Sequence, residues 1–174
     1  MVIYAMAFTL ALVAQTTAFH FTRGAAPWPD LALLLLVYGA LRMGKMGGVK
    51  LGLAAGFAED MLSYGVMGAN TCAKSLIGFG MGKLREDLIS DSATSRALFT
   101  AAATAVDALI YGALSRTFTD HAAFSSIWTA ILSSAAVNVL FALPVMGVME
   151  WAEDRIMRLG DASARDKYNS PSLD

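Results

Sequence analysis

The sequence has one cysteine, two histidines and four prolines in 174 residues. A lone Cys72 excludes an intramolecular disulfide and a cysteine-based metal cluster, and His20 and His121 have no companions at metal-ligand spacing. Charge is also scarce, at 16% of residues against about 25% in an ordinary soluble domain. The net charge of −1 gives no basis for a nucleic-acid partner. No Ser–His–Asp set is present. No glycine-rich phosphate loop is present either, since Gly78, Gly80 and Gly82 fall at packing spacing inside an apolar segment. The first apolar run begins at Met1–Val2 with no basic residues before it, so it reads as a retained helix rather than a cleavable signal. No catalytic constellation and no cofactor are expected.

What the chain has in quantity is apolar surface. Hydrophobic residues make up 56%, and the mean hydropathy is +0.55. A soluble domain of this length has too little interior to hide them. The fold class expected is an all-α polytopic membrane protein. Spanning helices need about 20 mostly apolar residues, and six segments approach this: 2–19, 30–41, 49–66, 70–84, 97–115 and 127–149. Together they make one transmembrane domain over 1–150. Residues 151–174 read as a tail with a short amphipathic turn and then disorder.

The basic residues orient this bundle. Arg42, Lys45, Lys50, Lys83, Arg85, Arg96, Arg155, Arg158, Arg165 and Lys167 fall on one side, against Arg23, Lys74 and Arg116 on the other. By the positive-inside rule both termini are expected in the cytoplasm of a bacterial inner-membrane protein.

Small residues recur every fourth position: Gly48, Gly52 and Gly56 in the third segment, Gly78 and Gly82 in the fourth, Ala7 with Ala11 and Ala14 with Ala18 in the first. Such stripes let helix backbones approach closely. Packing within the chain is the ordinary reading, and the first segment is the one expected to offer its alanines to another protein's helix.

The stretch GFAEDMLSYGVMGANTCAK holds the polar residues of most interest. A charge at mid-bilayer costs roughly 2.5–3.5 kcal/mol and usually faces a partner inside the bundle. With a turn near Met67, Asp60 and Lys74 stand at equal depth on antiparallel helices, which predicts an Asp60–Lys74 pair. Glu59, about 100° further round, would face a second polar neighbour or a cavity. Asp107 and Asn138 lie at similar depths in the fifth and sixth segments, which predicts a second pair, followed by a bend at Pro144. The five residues Glu59, Asp60, Lys74, Asp107 and Asn138 form either structural glue, a ligand or lipid-headgroup pocket, or an ion pathway.

The runs PWPDLALLLLVYGALRMGKMGG and GLAAGFAEDMLSYGVMGANTCAKSLIGFGMGKL resemble the rod shape-determining protein MreD family. The matching positions are Pro29, Tyr38, Gly52, Gly56, Asp60, Gly68, Gly78 and Gly82, followed by Asp107, Asn138 and Pro144. Glu59 departs from the apolar or aromatic residue usual before the aspartate. The resemblance implies a non-enzymatic subunit of the cell-elongation complex. The partners it implies are MreC, through its single transmembrane helix, then the actin-like MreB, RodA, a class B penicillin-binding transpeptidase and membrane lipids. It also implies a six-helix fold similar to the substrate-binding component of energy-coupling-factor transporters. That likeness makes a vitamin-type binding component, or a lipid-binding subunit, the alternative function.

Overall fold

The computed structural model describes residues 2–22, 28–63, 66–87, 92–118 and 124–169, with side chains described over most of these and not for 2–3, 18–22, 86–87, 93, 114–118, 124–131 or 159–169. The described residues form five helices: α1 (Val2–Thr22), α2 (Leu31–Leu62), α3 (Ala69–Asp87), α4 (Ala93–Phe118) and α5 (Phe124–Asn169). Five elements stand where six were expected because α2 takes in both the second and the third segment, two helices that follow one another across a kink at Gly44.

That unit is not straight. Asp30, which caps its start, and Glu59, near its end, both reach the ammonium of Lys74, at 3.0 and 2.7 Å. A straight helix would hold residues 29 positions apart about 44 Å from each other. The reversal lies at Gly44, whose φ of 73° and ψ of −171° belong to a region open essentially to glycine alone. Two arms, residues 31–43 and 45–62, therefore lie side by side, and Ala40 packs against Gly48.

The first arm is the centre of the molecule. Residues 32–40 are buried without a break, most of them completely. Its LALLLLVYGA sequence is apolar on every face, and a helix of that kind is stable only when surrounded. Tyr4, Phe8 and Ala11 of α1 close over one side, and Ala142, Met146 and Met149 of α5 contribute a single stripe from another.

The second arm and α3 are held by backbone contact. Gly48 lies against Gly78, Gly52 against Lys74 and Ser75, Gly56 against Asn70 and Thr71, and Gly82 against Gly44 and Lys45. A Cβ at any of these would fall on the neighbouring backbone. The small-residue stripes of the two helices thus face each other, giving close packing where no hydrophobic effect draws helices together. This register centres the hairpin near Ser63, about four residues earlier than Met67. The helix stops at Leu62, where Ser63 donates its N–H to the Glu59 carbonyl at 2.8 Å.

The outside of the bundle is apolar. Leu10, Phe57, Leu76, Leu109, Leu140 and Val148 are all more than two-fifths exposed. Among the described residues two helical stretches, Leu31–Leu62 and Leu132–Arg158, are by length and composition able to cross a membrane. The fold at Gly44 makes the arms of the first of these about 20 and 27 Å long. α5 was expected to stop at Met149 but continues through Pro144 and on to Asn169, so the beginning of the tail is helix.

Candidate functional site

Lys74 is 1% exposed, among the most deeply buried large side chains described. Its ammonium lies 2.7 Å from Glu59 Oε2, 3.0 Å from Asp30 Oδ2 and 3.7 Å from Asp107 Oδ1. Both arms of α2, together with α3 and α4, converge on this one cation. The Asp60–Lys74 pair predicted from the sequence is therefore replaced by Glu59–Lys74. The depth argument failed because the hairpin turns earlier. Helical side chains also lean toward their own N-terminus. On antiparallel helices that lean carries Lys74 toward the turn and Glu59 away from it, so the two meet.

Asp60 has a different task. Its Oδ2 accepts the Gly68 and Thr71 N–H groups at 3.0 Å each and the Thr71 hydroxyl at 2.6 Å. Its Oδ1 accepts the backbone and side-chain N–H groups of Asn70, both at 3.1 Å. The first turn of any helix leaves four N–H groups without intrahelical partners. Here α3 begins after Gly68, which has no side chain to cap with and a φ of 92°. Asp60 supplies the missing acceptor from the preceding helix, with its charge at the positive end of the α3 dipole.

Asp30 extends the Lys74 network. Its Oδ1 accepts the Leu33 N–H at 2.8 Å as an N-cap and the Gln15 amide of α1 at 3.2 Å. Its own N–H donates to Asn138 Oδ1 at 2.8 Å. Asn138 Nδ2 in turn donates to the Thr104 hydroxyl at 3.0 Å, and Thr104 donates to the Thr100 carbonyl at 2.9 Å. The predicted Asp107–Asn138 pair is thus also redrawn: Asp107 belongs to Lys74, whereas Asn138 ties α5 to Thr104 and to the start of α2. One network contains a residue from every helix. The five predicted polar residues fall into two groups, with Asp60 apart from the other four.

A second cluster was not foreseen. At the opposite pole Glu153 of α5 accepts the Tyr4 hydroxyl at 2.6 Å and the Tyr38 hydroxyl at 2.8 Å. Arg42 donates to the Tyr38 oxygen at 3.2 Å and lies 3.6 Å from Glu153. Arg96 of α4 pairs with Glu150 at 2.7 Å. The signal in the sequence was a glutamate two residues into a stretch read as tail, one turn beyond the buried Met149.

The alanine stripe of α1 does not present a uniform outer face. Ala11 is 6% exposed within the core and Ala7 packs against it, Ala14 is exposed, and the side chain of Ala18 lies outside the described residues. The outward surface of α1 is instead Met6, Leu10 and Val13.

No curated protein and no solved structure matches the chain. The model of one family does match, that of the rod shape-determining protein MreD, over residues 1–151. This span takes in both polar clusters apart from Glu153, together with the glycine-packed hairpin. The chain is accordingly an all-helical membrane protein of the MreD family, with a role in rod shape determination.

Proposed function

We propose that the chain is a non-catalytic scaffold of the bacterial inner membrane, crossing it six times with both termini in the cytoplasm. In this reading it binds the transmembrane helix of MreC and works beside MreB, RodA and a class B penicillin-binding transpeptidase to control peptidoglycan synthesis. The single observation behind it is the use of the buried charges: Lys74, Asp30, Glu59 and Asp107 are joined to one another across the bundle. A polar core spent on holding helices together leaves the apolar outer faces as the surface on which another helix can dock. A vitamin-type solute site would need those same groups turned toward a shared cavity.

The test is co-purification with MreC from membranes. Ala11→Leu is unsuited, because Ala11 is buried in the core. Ala14→Leu and Gly147→Leu change the outward faces of α1 and α5, where Ala14 is exposed and Gly147 has open space around it. Loss of MreC with one of these, at unchanged yield and monodispersity, supports the reading. Retention of MreC through substitutions on all outward faces overturns helix docking.

A further inference from the structure

The Gly44 reversal leaves a notch among the described residues. It has a volume of about 470 Å³ and is lined by Met43, Gly44, Lys45, Met46, Phe79 and Arg85. Gly82 packs directly on the Gly44–Lys45 backbone and so forms the notch's inner support. Arg85 sits over the turn, and a Cβ at Gly44 would lie 3.9 Å from its guanidinium. Met46 is 76% exposed and Phe79 47%.

The lining is divided by depth. Lys45 begins the second arm of α2, and Arg85 is in the last turn of α3. Phe79 lies six residues before Arg85, about 9 Å further along the helix toward the middle of the bundle. Cations therefore stand at the mouth, and an aromatic and thioether surface continues inward from them. Arg42, Lys50, Lys83 and Arg96 are also on this side, with Arg42 and Arg96 paired to Glu153 and Glu150. Basic pockets between transmembrane helices, placed at headgroup level, suit acidic lipids. A planar guanidinium also matches two phosphate oxygens at once.

We propose that this notch is a binding site for one acidic phospholipid. Its phosphate is held between Arg85 and Lys45, and an acyl chain lies along Phe79 and Met46. The inference rests on the membrane-embedded reading above but not on MreC binding, so it stands or falls separately from that docking.

The experiment uses the purified full-length chain in mixed micelles and in nanodiscs, with phosphatidylglycerol and phosphatidylcholine as probes and native mass spectrometry as readout. The wild type should retain one phosphatidylglycerol in preference to phosphatidylcholine. Lys45→Gln and Arg85→Gln should each weaken retention by about fivefold, the effect of one cation near a headgroup. Lys50→Gln and Lys83→Gln, at the same pole but outside the notch, should leave it unchanged. Phe79→Ser should lower retention of long-chain lipid, while water-soluble glycerophosphoglycerol should compete only weakly. Equal loss in the control variants would reduce the effect to general surface charge and overturn the site. Equal retention of phosphatidylcholine, or no retained lipid in the wild type, would overturn it as well. Helical content and elution volume, measured for every variant, separate loss of lipid from loss of fold.

Discussion

Glu59 and Asp60 are consecutive residues whose carboxylates serve different helix contacts: Glu59 meets the Lys74 ammonium at 2.7 Å, and Asp60 caps the N-terminus of α3. The 100° step of the helix divides one acidic dipeptide between two structural tasks.

The division can be measured by double-mutant cycles. Glu59→Gln combined with Lys74→Met should show a coupling of about 1–3 kcal/mol, as residues in direct contact do. Asp60→Asn with Lys74→Met should be additive to within about 0.5 kcal/mol. Thermal unfolding in detergent supplies both values, and the reverse ranking would restore the Asp60–Lys74 pair.

Lys74→Met alone leaves three carboxylates facing one another. Removing one partner of a buried ion pair typically costs about 3–5 kcal/mol, and the variant should show a markedly lower midpoint and poor yield. Replacing Glu59, Lys74 and Asp107 together by apolar residues of similar volume, with Asp30 changed to Asn to keep its N-cap, should recover much of that loss. No recovery would mean that the cluster contributes more than mutual neutralisation.

Asp60→Ala should expose the first turn of α3. The loss expected is about 1–2 kcal/mol, as for other N-cap deletions. Hydrogen exchange should accelerate at the Gly68, Asn70 and Thr71 amides while those of the middle of α3 stay protected. Uniform acceleration along α3 would argue against a capping role.

Glycines should divide by what surrounds them. Gly52→Ala and Gly48→Ala drive a methyl group into the backbone of α3, so both should lose folded protein. Gly80→Ala and Gly112→Ala meet open space, and each should be neutral or stabilising by up to about 1 kcal/mol. Expression and melting temperature across the four variants provide the check.

Glu153→Ala leaves the hydroxyls of Tyr4 and Tyr38 without their shared acceptor. A cost of about 1–3 kcal/mol is expected for donors left unsatisfied. Trypsin should then cut more readily at Arg155 and Arg158, where α5 is no longer fastened to the bundle. An unchanged cleavage rate would show that the α5 extension is held by other contacts.

Much of this structure was legible as pattern. Apolar runs placed the helices, and four-residue glycine spacing marked the hairpin that packs by backbone contact. The need of a buried charge for partners singled out Lys74, Asp107 and Asn138. What could not be read was the rotation and offset between helices. A four-residue error in the turn moved Asp60 from ion pair to cap. Asp30 was passed over because its position after Pro29 read only as a helix start, whereas it is also a partner of Lys74 and Gln15. Glu153 was assigned to the tail because hydropathy falls after Met149, although the helix itself does not end there.

The network around Lys74 also carries a chronology. Ribosomal synthesis delivers Asp30 and Glu59 first, then Lys74, then Asp107, and Asn138 last. Lys74 can pair with both carboxylates as soon as α3 has entered the bilayer, but the Asn138 bond to the start of α2 waits until α5 is made. Each newly inserted helix therefore arrives at a bundle that still holds a polar vacancy for it. A truncated chain that lacks α5 would leave the Asp30 amide without its Asn138 acceptor.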